Sequence, residues 1–401
     1  MLVLLNGIAL FGAVLVLAPA IWILLACIAG SLPNRTKRPE ITDTRPSLAV
    51  LIPAHNEAAT IGATLEAVLR EMRRNDRILV VADNCTDETA RVAARAGVDV
   101  VERNDPQRRG KGFALDHGLR HLTVDPPQIV VIVDADCNVG PGTLDVLARE
   151  AVRHNGPVQA MYLLYPPPQP RMRDYLSSLA FTMKGAARAA GLARLGLPCL
   201  LGGTGMAVPW DQIRTVPLAS GNIVEDMQLG LDLAIAGHLP RYCPAGLVTG
   251  SLPQCDDAAI TQRTRWEHGH LHTILRQVPR LVRASLIQRS PKLLALAMEL
   301  SVPPLTLYVL LIGVSLGTFG VAAASGLSIA PVVVTLLTMV LLLGAVLLSW
   351  WRFAQGFVPA QAFLAIPLYV LSKIPMYLRF LVRRQTTWVR TGRGGGGTLV
   401  R

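Results

Sequence analysis

Charge is what this sequence has least of. Asp, Glu, Lys and Arg make up 16% of its 401 residues, against about 25% in ordinary soluble domains. The shortage is concentrated at the two ends. No charged residue occurs from Met1 to Asn34, and none from Leu300 to Trp351. A helix needs roughly 20 apolar residues to cross the hydrocarbon core of a bilayer. The first block therefore accommodates one span. The second is interrupted around Gly326 and suits two spans joined by a tight turn, in preference to a buried helical hairpin. Cysteine is also sparse: Cys27, Cys85, Cys137, Cys199, Cys243 and Cys255 form no CxxC pair and keep no regular spacing. This excludes a zinc ribbon and a disulfide framework and reads as reduced thiols. A positively charged start is missing too. The first block is thus expected to be a retained anchor over 1–32, although Leu24-Leu25-Ala26-Cys27 is similar to a lipoprotein processing site.

The charge that is present is mostly positive, with a net +12. Arg35, Lys37 and Arg38 follow the anchor, while Arg379, Arg383, Arg384, Arg390 and Arg393 follow the last apolar stretch. Positive flanks stay on the cytoplasmic side. The expected protein is therefore multi-pass in the inner (cytoplasmic) membrane, with its N-terminus outside and its middle inside. Basic residues at these borders face anionic lipid head groups, so nucleic acid is not an expected partner. The segment 357–384 contains Lys373, Pro367 and Pro375. It is expected to be an amphipathic helix at the interface, the alternative being a third span that would leave the basic tail 385–401 outside. Gly394 to Gly397 reads as a flexible stretch.

The middle, 45–290, reads as an α/β domain with a mostly parallel sheet. Nearly pure aliphatic runs at Leu48–Ile52, Ile78–Val81, Val98–Val101 and Ile129–Val133 predict strands covered on both faces. Ile61, Leu65, Val68, Leu69 and Met72 keep helical spacing, and Pro141 opens another expected helix. Beyond Ala160 the pattern loosens, with prolines at 166–168, glycines from Gly202 to Gly205 and a helical run over 223–236.

In open α/β sheets ligands bind beyond the carboxyl ends of the strands. Four strand-end or loop segments are polar there: Pro53-Ala54-His55-Asn56-Glu57, Ala82-Asp83-Asn84-Cys85-Thr86-Asp87, Arg109-Gly110-Lys111-Gly112 and Asp134-Ala135-Asp136. Asp134 and Asp136 leave a buried strand as alternate residues and could hold a hard divalent cation beside a nucleotide diphosphate. Taken alone, the pair is equally a solvated strand-end turn. Glu57 and Asp83 could accept from ribose or base, and Lys111 could meet phosphate. The glycines around Lys111 have neither GxGxxG nor P-loop spacing, so neither site is indicated. Glu225 and Asp226 open a predicted helix, either as partners of its dipole or as a group that takes a proton from an attacking hydroxyl. Gln262, Arg265 and Trp266 combine an amide, a phosphate-binding fork and a flat ring, or else anchor an interfacial helix. His268, His270 and His272 would spread over different faces of a helix and are expected to be ordinary polar residues.

In order, PAHNE, ADNCTD, GKGFAL, DAD, GGTG, VED and QRTRW resemble the family 2 glycosyltransferases between Leu48 and Trp266. The likeness is to the membrane-integrated branch that includes cellulose, chitin, hyaluronan and poly-N-acetylglucosamine synthases. The resemblance implies a GT-A fold flanked by transmembrane helices, with Ala54, Glu57 and Asp83 around the nucleoside and Lys111 nearby. It further implies Asp134 and Asp136 at the nucleotide and at Mg²⁺ or Mn²⁺, with Asp226 as general base beside Glu225. Gln262, Arg265 and Trp266 match QxxRW at the diphosphate and acceptor end, beside Gly203 and Thr204. Ala82 and Val224 stand where many relatives have Asp and Thr. Trp388 and Thr391 are similar to a cytoplasmic segment of hyaluronan synthases. The implied activity is inverting transfer from a nucleotide sugar, expected to be a UDP-sugar, to a growing polysaccharide. So few spans imply a homo-oligomer or an export partner. The alternatives are transfer to a lipid carrier or lipid-linked acceptor and, in another class, a noncatalytic nucleotide-sensing membrane scaffold.

Overall fold

The structure, a computed structural model, describes residues 1–33, 45–219 and 224–382. Expectations about Arg35, Lys37, Arg38, the basic residues from 383 onward, Trp388, Thr391 and the glycine tail lie outside the described residues.

Among the described residues, eight strands form one sheet: β1 (Leu48–Ala54), β2 (Arg77–Asp83), β3 (Asp99–Arg103), β4 (Ile129–Ile132), β5 (Asn138–Val139), β6 (Val158–Tyr165), β7 (Met206–Pro209) and β8 (Arg241–Ser251). Their order is β3-β2-β1-β4-β7-β6-β8-β5. The four strands read from the sequence are the parallel half. The second half is mixed, since β7 runs antiparallel to both β4 and β6, β6 and β8 are parallel, and β5 is antiparallel to β8. The change of direction beside β4 opens a crevice at its carboxyl end, where Asp134 emerges.

Alternate residues of the central strands feed two cores. Val50, Ile52, Val80 and Val131 pack with Leu65, Val68 and Leu147 on one face. Leu51, Leu79, Val81 and Ile132 pack with Leu115, Leu119, Leu229 and Leu233 on the other. Helix cover on both faces is why these runs are almost wholly aliphatic. Arg109–Gly112, expected as a loop, instead leads into a helix that starts at Lys111 and runs Lys111–Leu122. Gly110 precedes it with φ 132, a conformation that favours glycine. The helix expected at Pro141 starts later, as Thr143–His154, after Gly142.

Beyond β6, helix Met172–Thr182 passes through a π turn, Met183–Arg188, into helix Ala189–Arg194. The 33-residue helix Asp256–Gln288 carries QRTRW near its start. Among the described residues, four helical stretches are long and apolar enough to cross a membrane: Leu2–Ser31, Leu305–Ala324, Ala330–Ala354 and Ala360–Phe380. The fourth, expected at the interface, has the lowest hydropathy, 1.3 against 2.0 to 2.7. It is broken into a 3-10 turn and two short helices that meet at Lys373. Leu2–Ser31 packs on Ala330–Ser349 through Ala20, Ile23 and Cys27 against Leu342 and Ala345.

Candidate active site

A cavity of about 420 Å³ runs from the carboxyl ends of β1, β2 and β4 to the membrane helices. Its walls bring together Ala54, Glu57, Asp83, Lys111, Asp134, Asp136, Gly203, Glu225, Asp226, Gln262, Arg265 and Trp266. Of the site residues read from the sequence and described here, only Thr204 is withdrawn from the wall, and it serves as a support.

The centre of the site is a glycine. Gly203 has φ +90, and a Cβ there would lie 3.4 Å from Asp226 Oδ2, 3.7 Å from Lys111 Nζ and 3.9 Å from Asp134 Oδ2. Lys111 Nζ donates to Asp134 Oδ1 at 2.5 Å and to the Gly203 carbonyl at 2.6 Å, and stands 3.9 Å from Glu225 Oε1. The fully buried Thr204 accepts the Asp134 N–H on its hydroxyl at 3.0 Å. Gln159 fixes this glycine-rich turn from beneath, donating to the Thr204 carbonyl at 2.9 Å and accepting from Gly202 N at 2.8 Å. Sequence reasoning missed Gln159, a lone amide in a strand.

Asp134, Asp136 and Cys137 place one ligand atom each within 4.8 Å of one another. Burial pushes the Cys137 thiol up to about 12, and it donates to Asp136 Oδ1 at 3.6 Å. The usable donors are thus carboxylate oxygens, a set that fits a hard divalent cation completing its shell with phosphate and water.

At the far end Asp83 is buried at the end of β2. Its Oδ1 accepts from Arg103 at 2.6 Å and from Asn84 at 2.9 Å. Among the described residues Oδ2 accepts nothing, which leaves it to the cavity. Burial raises the Asp83 carboxyl despite Arg103. The neighbouring strand end is tied to it: His55 Nδ1 lies 2.6 Å from the Asp83 carbonyl, and Glu57 N donates to Thr89 Oγ1 at 2.8 Å. Arg103 lies opposite Asp83 in the β2–β3 register, a pairing with no signal in the sequence.

Burial dominates the electrostatics around Gly203. It pushes Glu225 up to about 7 and raises Asp226, both against the pull of Lys111. For Lys111 burial acts to lower the amine, but Asp134 and Glu225 outweigh it and hold it raised. Gln262, Arg265 and Trp266 fall at i, i+3 and i+4 on one helix face and reach the cavity together. The Arg265 guanidinium has no hydrogen bond or ion pair among the described residues, and burial lowers its pKa against the pull of Glu225, Asp134 and Asp226. Arg263, on another face, pairs with Asp174 at 2.9 Å and supports the fold. The histidines do not converge: His268 Nε2 meets the Met376 carbonyl at 3.0 Å and His270 Nε2 the Leu300 carbonyl at 3.2 Å.

The family model described as "Glycosyltransferase like family 2" matches residues 46–269, more than half of the chain. Among solved structures, a mannosyltransferase, PcManGT from Pyrobaculum calidifontis in complex with GDP-Man and Mn²⁺, is 20% identical with a TM-score of 0.59, covering 95% of this chain and 100% of that one. At that identity the likeness is one of fold. Among curated relatives, 4,4'-diaponeurosporenoate glycosyltransferases of Staphylococcus aureus are 39% identical in strain bovine RF122 / ET3-1 and 38% in strain USA300, each over 93 residues. The match takes in 22% of this chain and spans 24% of the length of those relatives.

Proposed function

The chain belongs to glycosyltransferase family 2 and has the GT-A fold, and from that premise we propose that it is a membrane-bound inverting enzyme transferring a sugar from a nucleotide donor to a membrane-resident acceptor. The observation that carries the reading is the convergence of Asp226, Lys111 and Asp134 within 4 Å of one point over Gly203. In this reading the nucleoside lies along Ala54, Glu57 and Asp83, and Lys111 and Arg265 face the diphosphate. Asp134 and Asp136 would hold Mg²⁺ or Mn²⁺, which when bound offsets charge on the departing diphosphate. Asp226 takes the proton from the acceptor as its oxygen attacks the anomeric carbon from the face opposite the leaving group. One displacement inverts once. A noncatalytic sensor has no use for a base aimed at the sugar position.

The acceptor side favours a lipid. Past Trp266 the cavity is walled by Ile23 of the first apolar helix and by Val302 to Thr306 at the start of the second, so a molecule held in the bilayer reaches the site along these helices. The Staphylococcus relatives, 4,4'-diaponeurosporenoate glycosyltransferases by name, accord with this reading. Gln262-Arg263-Thr264-Arg265-Trp266 favours the second reading, a processive polysaccharide synthase. Against it, Ala20 and Ala345 are fully buried where the first and third apolar helices meet, so these two helices close on each other there.

Purified enzyme given a panel of labelled UDP- and GDP-sugars with Mg²⁺ or Mn²⁺ should yield a product one sugar long. A ladder of lengthening products would select the synthase. Asp226→Asn should cut transfer roughly 10²- to 10⁴-fold, the usual share of a general base, while donor binding persists. Full transfer by that variant would remove Asp226 from the role.

A further inference from the structure

The cavity contains a cation that donor chemistry leaves unused. The π turn Met183–Arg188, a local form frequent at functional sites, carries Lys184 and Arg188, and both line the cavity on its membrane side. Arg188 is matched: it donates to Glu299 Oε1 at 2.5 Å, and Trp22 Nε1 donates to Glu299 Oε2 at 2.8 Å. Lys184 is not matched. Among the described residues its amine has neither a hydrogen bond nor an ion pair. Burial lowers it to about 8, although Asp226 pulls the other way. His270, the remaining titratable neighbour, is kept neutral by burial, with Nε2 at the Leu300 carbonyl. Asp226 and Glu299 act on this ammonium without a direct contact, and a partly buried charge gains from a bonded partner, so the position is suited to an anion brought by a ligand. Ile23, Leu192, Val302 and Leu305 stand in the same wall and offer that ligand apolar surface.

Resting on the transfer reading above, we propose that Lys184 binds the anionic head group of a lipid acceptor, a phosphate monoester or a carboxylate on an apolar chain that lies against Ile23, Leu192 and Leu305. An oxygen of the head group forms the bond to the anomeric carbon while the bond from that carbon to the diphosphate oxygen breaks. The electron pair leaves with the nucleoside diphosphate. A singly protonated phosphate passes its proton to Asp226, and a carboxylate has none to pass.

The test uses full-length enzyme in detergent with three acceptors of matched chain: a polyprenyl phosphate, a long-chain carboxylic acid and the corresponding neutral alcohol. The expected result is at least about tenfold higher kcat/KM for one anionic acceptor than for the alcohol, and whichever anion is used identifies the source. Lys184→Met should raise the KM for that anion by about tenfold or more, as expected for loss of a charged hydrogen bond. Donor KM should stay within about twofold, and Lys184→Arg should recover much of the loss. Equal use of the alcohol, an unchanged acceptor KM in Lys184→Met, or an effect confined to donor KM would each overturn the proposal. Nucleoside diphosphate release without acceptor separates the two readings. Release accompanied by alcohol preference rejects the anion site alone, whereas no release from any donor rejects the transfer reading and this one together.

Discussion

Glu225 and Asp226 occupy the first turn of one helix, beside Lys111 and facing the same cavity, and burial keeps both more readily protonated than ordinary carboxyls. For Glu225 this has a definite sign. Its folded-state pKa, about 7, lies above its ordinary value of 4.5, so folding favours the protonated form. The stabilisation is complete below the ordinary value and fades as pH rises through about 7. Glu225→Gln mimics the neutral form. It should raise the thermal midpoint of nucleotide-free protein by a few degrees at about pH 8 and leave it nearly unchanged at about pH 5. A lower midpoint at both would mean that the attraction to Lys111 outweighs burial. Residues of this kind were legible because each carboxylate directly follows an aliphatic strand or opens a helix. Gln159, Arg103 and Lys184 were not, because their roles come from register and from a π turn that bring distant segments together.

Among elements, the most demanding contact joins the first apolar helix to the catalytic domain. A Cβ on Gly30 would run into the Ala187 carbonyl, and one on Gly191 into that of Ala26, so Leu2–Ser31 and the helix after the π turn touch backbone to backbone. Gly191→Leu should destabilise the protein by about 1 to 3 kcal/mol, the usual range for overpacking. It should also cut transfer to a membrane acceptor more than nucleoside diphosphate release, since Ile23 and Leu192 flank the same cavity. Gly317→Leu, where nothing lies within 4 Å of the added Cβ, is the control expected to change neither. If both variants behaved alike, the close approach would have no functional weight. The elements easiest to read were the parallel strands, whose burial on both faces leaves uniform runs. The helix Lys111–Leu122 escaped because Gly112 and Gly118 weaken its pattern. Gly118 is there because a Cβ at that position would run into the Leu51 and Val81 side chains.

For the whole molecule the undecided segment is Ala360–Phe380, long enough to span but attached at its middle. Lys373 is buried with its amine 2.5 Å from Glu267, the residue after Trp266. Tyr369 meets Ser177 at 3.0 Å, and the Met376 carbonyl meets His268 at 3.0 Å. A spanning helix would carry its midpoint about 15 Å into hydrocarbon, far from a catalytic helix that works in water. The contacts instead fit a segment lying along the membrane face beside the acceptor end of the site. In the topology that the basic flanks predict, with the first helix entering from outside and the next two crossing out and back, Val382 would lie on the same side as the catalytic domain. Val3→Cys should react with an impermeant maleimide on intact cells, whereas Val382→Cys should react only after permeabilisation. Equal labelling of the two from outside would make Ala360–Phe380 a fourth crossing, and the Lys373–Glu267 pair would then have to form within the bilayer.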